Sequence, residues 1–135
     1  MALINWTESL SVKIKSIDDQ HKVLIGLINE LDDSMRAGKG KEAVGKIIDE
    51  LVDYTRYHFG YEESIFAKIG YVESAAHKRS HIALTDKVVD LQKKFKEGSL
   101  SITIETMSFL KTWLSDHIMG TDQKYTGSFI SKGIS

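Results

Sequence analysis

The sequence predicts an all-α protein, an up-down-up-down antiparallel four-helix bundle with an irregular N-terminal arm. Three observations lead to this fold class. The 135 residues contain no proline, the residue that most often interrupts helices. Apolar residues recur at alternating steps of three and four in four segments, which is the helical period. Short gaps that contain glycine separate the segments, and such gaps favour antiparallel neighbours.

The arm covers residues 1–15 and carries Trp6. The first helix is predicted to begin at Ser16, whose hydroxyl would cap the backbone together with Asp19 three residues later. Its apolar stripe consists of Leu24, Ile28, Leu31 and Met35. The sequence "AGKGK" then ends this helix.

The second and third helices are predicted to meet at a short turn between Gly70 and Ser74. The stripe of the second helix mixes apolar residues with three polar ones and consists of Val44, Ile47, Leu51, Thr55, His58, Glu62, Ile65 and Ile69. The third helix begins near Ser74 and stops at Gly98, and its stripe consists of His77, His81, Leu84, Val88, Leu91 and Phe95.

The fourth helix is predicted to run from about Ser101 to Gly120. Its stripe consists of Met107, Leu110, Leu114 and His117. The bundle would then occupy residues 16–119 and a C-terminal segment residues 120–135. A chain of this length forms one ordinary domain, so we expect residues 1–135 to share one core.

Composition excludes several classes of partner and site. Eighteen Lys and Arg balance nineteen Asp and Glu, and the two signs are interspersed, which argues against nucleic acid or an anionic membrane as the main partner. The chain has no cysteine, so it contains neither a disulfide nor a thiolate metal site. The sequence lacks an apolar run of about 20 residues, so we expect no membrane span. We expect a cytoplasmic monomer.

All five histidines lie on the helical stripes or in register with them. A single histidine on an apolar face is usually a hydrogen-bonded core residue, but this explanation weakens when it must cover every histidine in the chain. In an antiparallel bundle, all five positions fall at one end: His21, His58, His77, His81 and His117. Such a layer of imidazoles would be costly to bury without a bound ion.

The spacing of these residues indicates metal ligands. His77 and His81 are four residues apart, so they project from one face of a helix, and His58 and Glu62 repeat that spacing. Two such pairs with two further histidines exceed the needs of one tetrahedral ion, which favours two metals. Imidazole and carboxylate suit iron as well as zinc, so ligand type leaves the metal open.

Asp122 follows His117 by five residues, with Gly120 between them. On a regular helix the two side chains face different directions. A π-like turn would bring Asp122 towards the same metal. Alternatively, Asp122 is a solvated residue beyond the helix end. The spacing alone leaves both interpretations open.

Four short motifs together resemble the ligand set of the hemerythrin family, in family order. They are "DDQH" ending at His21, "HFGYEE" from His58, "HKRSH" from His77 and "HIMGTD" from His117. The similarity extends from Trp6 to Tyr125. One departure is Lys13, where relatives commonly have glycine.

The resemblance implies two iron ions bridged by oxo or hydroxo, with dioxygen as the ligand. One iron would be held by His77, His81 and His117, and the other by His21 and His58, with Glu62 and Asp122 bridging them. The second iron would keep an open position for dioxygen. Ile118 would line the pocket around that position.

The resemblance therefore implies an oxygen-binding protein for storage, delivery or sensing, and we do not expect an enzyme. The alternative is a di-iron oxidase, peroxidase or nitric oxide reductase that uses the same centre. Such an enzyme needs a proton donor, and the candidates are Tyr54, Tyr57, Tyr61 and Tyr125. Tyrosines at these positions are more often packing residues. A structural zinc bundle or signalling module is a third hypothesis, which the open position disfavours. A protein partner that receives oxygen, the role of oxygen binding and its affinity stay open.

Overall fold

The computed structural model describes residues 3–98, 104–118 and 125–133, and all regular structure within these ranges is helical. A short 3₁₀-helix, Glu8–Leu10, lies in the N-terminal arm. The α-helices are α1 (Lys15–Arg36), α2 (Lys41–Ile69), α3 (Ser74–Lys96), α4 (Ile104–Asp116) and α5 (Thr126–Ser131). The predicted all-α fold class with four long helices is confirmed.

Helix α2 packs against both α1 and α3, and α1 also contacts α4. Their facing stripes form one buried apolar cluster, which includes Leu24, Ile28, Leu31, Ile48, Leu51, Met107 and Leu110. Within the described ranges, no helix is both long and apolar enough to cross a membrane.

The start of α1 differs from the prediction. The helix begins at Lys15, one residue earlier than predicted, and no side chain caps its first turn. The hydroxyl of Ser16 instead accepts a hydrogen bond from the phenol of Tyr61 at 2.8 Å. The hydroxyl that the local sequence assigned to capping therefore forms a contact between two helices instead.

The predicted end of α2 is confirmed. Gly70 follows the helix with φ +66°, and its N–H donates to the carbonyl of Phe66. Glycine suits this left-handed position because it has no Cβ to clash with the preceding turn. The predicted start of the fourth helix near Ser101 and its end at Gly120 lie outside the described residues.

The N-terminal arm is ordered by specific hydrogen bonds. Ile4 exchanges two hydrogen bonds with the side chain of Asn29, each at 2.9 Å. Further along, Asp18 accepts from the backbone N–H of Val12 at 2.8 Å and from the hydroxyl of Ser11 at 2.6 Å. These contacts fix the arm against α1 at both of its ends.

Helix α5 was not predicted, because its six residues are too few to show a helical stripe. It is held by packing: the rings of Tyr125 and Phe129 are fully buried and stack with centroids 4.3 Å apart. The hydroxyl of Thr126 donates to the carbonyl of Val12 at 2.9 Å. The arm and α5 are therefore joined to each other, beside the end of the bundle that carries the histidines.

Candidate metal centre

The five histidines and Glu62 meet inside one end of the bundle. Helix α1 provides His21, α2 provides His58 and Glu62, α3 provides His77 and His81, and His117 directly follows α4. Their side chains are at most 5% exposed. The antiparallel arrangement predicted that these residues lie at one depth in the bundle, and the structure places them there.

The potential ligand atoms form two groups that share Glu62. One group contains Glu62 with the histidines of α3 and the one after α4, namely His77, His81 and His117; the other contains His21, His58 and Glu62. Within each group, one ligand atom from each residue lies within 4.8 Å of the others. A carboxylate has two oxygens, so Glu62 is the one described residue in position to bind two ions at once.

Two imidazole nitrogens converge on one oxygen of Glu62. His81 Nε2 lies 3.1 Å from Glu62 Oε1, and His58 Nε2 lies 3.4 Å from the same atom. Lone pairs of nitrogen and oxygen that face each other repel unless a proton or a cation lies between them. The donor set thus fits divalent metal ions, and neutral imidazole with carboxylate is a set that iron and zinc both accept.

The outer nitrogens of these two histidines are held by neighbouring side chains. His58 Nδ1 lies 2.7 Å from the amide oxygen of Gln20, and His81 Nδ1 lies 2.8 Å from a carboxylate oxygen of Glu63. An oxygen acceptor at Nδ1 fixes the proton on that nitrogen, which leaves Nε2 with its lone pair directed into the centre. Both rings are therefore held in the tautomer that binds metal through Nε2.

Aromatic rings surround the histidines and exclude water from them. Phe59 stacks on His81 with centroids 3.9 Å apart and planes 3° from parallel. Phe66 contacts His77 at a centroid distance of 4.8 Å, and Tyr125 lies 5.6 Å from the same ring. Such walls lower the local dielectric constant and strengthen electrostatic interactions within the site.

The backbone departs from regular α-helical geometry directly after α4. His117 and Ile118 have π-helical geometry, the distortion proposed to turn the following residues towards the histidines. Ile118 is fully buried. Asp122 lies outside the described residues, so its assignment as a ligand stays a prediction.

Comparison with known proteins identifies the family. The sequence model of the hemerythrin HHE cation binding domain matches residues 12–127. The chain belongs to the hemerythrin family. The resemblance that the four motifs suggested is thereby confirmed.

Relatives match over nearly the whole chain. A bacteriohemerythrin from Methylococcus capsulatus is 39% identical over 126 residues, which are 93% of this chain and 95% of that protein. A bacteriohemerythrin from Stenotrophomonas maltophilia is 39% identical over 93% of this chain and 80% of that protein. A crystal structure of wild-type hemerythrin superposes with a TM-score of 0.86 at 38% identity, and covers 93% of this chain and 97% of that one.

Sequence reasoning missed the contact of one tyrosine with this hemerythrin centre. The phenol of Tyr125 is fully buried and donates a hydrogen bond to Glu62 Oε2, the carboxylate shared by both groups. The ring packs, as predicted, but its hydroxyl also acts on a potential ligand. Tyr125 follows the "HIMGTD" motif and lies beyond the predicted fourth helix. Helical spacing therefore gave no indication of where its side chain points.

The other three candidate proton donors contribute differently. Tyr61 donates to Ser16, and Tyr57 is an exposed side chain. Burial, together with the neighbouring Tyr57, raises the pKa of Tyr54 above its ordinary value, and this phenol is half-buried beside α1.

Two further residues that sequence reasoning missed are Gln20 and Glu63. Each adjoins a predicted ligand in the sequence, which is the only signal that marks them.

Proposed function

We propose that this chain binds dioxygen reversibly at a non-haem di-iron centre, for oxygen storage, delivery or sensing. The observation that carries the proposal is the sharing of Glu62 between two groups of buried histidines. One bridging carboxylate between two imidazole sets is an arrangement for a pair of ions. A single structural zinc ion would need four ligands, fewer than these residues offer.

The proposed ligand assignment follows the two groups. His77, His81 and His117 would hold one iron, and His21 and His58 the other. Glu62 and Asp122 would bridge the ions, together with an oxo or hydroxo group. When bound, iron would supply the redox chemistry and, on the side with two histidines, a coordination position open to dioxygen.

The balance of charge supports binding without cleavage of the oxygen–oxygen bond. Two ferrous ions carry four positive charges, and two carboxylates neutralise only two of them. The carboxylate-rich di-iron sites of ferritin-like proteins have about four such ligands. A histidine-rich site therefore stays cationic, accepts an anionic ligand, and gives less support to highly oxidised iron.

Ile118 is proposed to keep water out of the oxygen pocket. It follows His117 and is fully buried in the apolar cluster beside the centre. A dry pocket prevents water from displacing the bound oxygen and prevents proton leakage to it. On the side of the other histidine group, the rings of Phe59 and Phe66 form an apolar wall against His81 and His77.

A di-iron enzyme is the second candidate, an oxidase, peroxidase or nitric oxide reductase. The hydrogen bond from Tyr125 to Glu62 favours it, because a phenol at the centre is a source of protons for the reduction of oxygen. A carrier has no use for repeated proton delivery. Turnover is therefore the property that separates the two candidates.

The test combines metal analysis with optical spectra of the purified protein over cycles of oxygenation and deoxygenation. We expect two irons per chain and a colour that returns after each cycle. In an Ile118→Ala variant, water should enter the pocket and the colour should fade faster, with both irons retained. An Ile130→Ala variant, changed at an exposed side chain of α5, is the control and should behave as wild type.

Two results would refute the carrier proposal. Sustained oxygen consumption with a reductant, well above the rate of autoxidation, would support the enzyme instead. One zinc and no iron in protein from iron-replete cells would exclude both di-iron candidates.

A further inference from the structure

Helix α2 supports a ligand that belongs to α3. His58 and Glu62 point from α2 into the centre, and the residues that directly follow them are Phe59 and Glu63. One residue corresponds to a rotation of about 100° around a helix, so Phe59 and Glu63 share a second face of α2. That face meets His81.

The two contacts fix His81 in different directions. Phe59 lies parallel to the imidazole at a centroid distance of 3.9 Å, which restricts tilting of the ring. Glu63 Oε2 lies 2.8 Å from Nδ1, which restricts rotation within the ring plane. Together these neighbours hold Nε2 of His81 towards the centre, 3.1 Å from Glu62 Oε1.

On the other side of the centre, the residue that contacts the outer nitrogen of the histidine is uncharged. His58 Nδ1 faces the amide oxygen of Gln20 at 2.7 Å, where His81 has the carboxylate of Glu63. A carboxylate that accepts from a metal-bound imidazole increases the basicity of the ring more than a neutral amide does. The two groups of ligands therefore differ in the donor strength of one histidine, in addition to the number of histidines.

We infer that Glu63 is a positioning residue that strengthens metal retention by the group containing His77, His81 and His117, beyond the effect of that group's additional histidine. This position fills first and empties last. The inference rests on the proposed function only in requiring two metal ions, and it does not require dioxygen to bind. It assigns a role in metal retention to a residue that contacts the ligand and not the ion.

The experiment measures loss of cobalt(II) to an excess of EDTA from the fully loaded protein. Cobalt(II) is the probe because its visible spectrum reports its coordination and it binds independently of oxygen chemistry. We expect wild-type protein to release one ion in a fast phase and one in a slow phase. Glu63→Gln keeps the size and an acceptor oxygen but removes the charge, and should accelerate the slow phase about tenfold or more.

Two further variants make the test specific. Gln20→Glu places a carboxylate beside His58 and should slow the fast phase while leaving the slow one unchanged. Glu50→Gln changes an exposed glutamate about 20 Å from Glu63 along α2 and should alter neither phase. The melting temperature of each metal-free variant shows whether an effect arises from general loss of stability.

The inference is wrong if Glu63→Gln leaves the slow phase unchanged, or if it accelerates both phases to the same extent. Either result would leave reversible oxygen binding by the wild-type iron protein intact. If the iron protein fails to bind oxygen but Glu63→Gln selectively accelerates the slow phase, the proposed function fails and the inference stands. Failure of the wild-type protein to bind two cobalt ions would overturn the inference, and the iron analysis would then decide the proposed function by itself.

Discussion

Replacement of Lys13 with glycine should stabilise the folded chain. Lys13 has φ +64°, the left-handed region, and it is the one residue other than glycine with positive φ in the described ranges. Its side chain is exposed, whereas both neighbours, Val12 and Ile14, are fully buried. A left-handed position between two buried residues suits glycine, which has no Cβ to strain the backbone.

The expected gain follows from two opposing terms. A residue with a Cβ loses about 1–2 kcal/mol in the left-handed conformation, a cost that glycine does not have. Glycine loses about 0.5–1 kcal/mol more chain entropy on folding than alanine does. The net stabilisation should therefore be about 0.5–1 kcal/mol. The hydrogen bond from the backbone N–H of Lys13 to the hydroxyl of Ser11, at 3.0 Å, is available to either residue.

Thermal unfolding of metal-matched samples provides the assay. For a chain of this size, the gain corresponds to a rise in melting temperature of about 2–4 °C. Lys13→Ala is the matched control: it removes the same side chain but retains the Cβ, so its melting temperature should stay close to that of wild type. The backbone argument is refuted if the glycine variant melts at or below the temperature of the alanine variant.

Three further perturbations probe the centre and the opposite end of the bundle. Tyr125→Phe removes the donor to the Glu62 carboxylate and should lower the free energy of unfolding by about 1.5–3 kcal/mol in urea titrations; an effect no larger than that of Tyr57→Phe, at an exposed ring, would contradict this. Hydrogen bonding to Lys96 lowers the pKa of Asp49, so this carboxylate stabilises the fold at pH values above its unfolded pKa of 3.8, and the contribution is lost as the pH falls through the lower folded value. Asp49→Asn should therefore lower the free energy of unfolding by about 0.5 kcal/mol at both pH 7 and pH 5. An effect that diminishes between those two pH values would show that another group is responsible. Removal of the metal should strongly destabilise the bundle, because the buried imidazoles and carboxylate would lose their ions, and calorimetry that gives equal melting temperatures for the two forms would place the metal elsewhere.

The positions of the candidate ligands were predictable because they depend on local geometry. A spacing of four residues places His58 beside Glu62 whatever the rest of the chain does, and the same applies to His77 and His81. Depth along the bundle then follows from the order of the helices and from short connections. Neither step requires knowledge of how the helices are rotated against one another.

Features that depend on contacts between helices were not predictable in this way. The hydroxyl of Ser16 was assigned to capping, yet it accepts from Tyr61 on another helix. Helix α5 forms because Phe129 and Tyr125 find a buried surface, not because its six residues have a helical pattern. In each case a partner distant in sequence overrides the local preference.

The supports of the ligand histidines show how the two kinds of information combine. Gln20 on α1 holds His58 on α2, and Glu63 on α2 holds His81 on α3. Each supporting residue adjoins a ligand in the sequence, so the helix that directs one histidine inward also restrains the histidine of the next helix. A metal requires its donor atoms within a few tenths of an ångström of their ideal positions, and an unsupported imidazole rotates about two bonds. Rotation of α2 by a small angle would therefore displace predicted ligands on two helices at once, and a bound metal would oppose that rotation through these contacts.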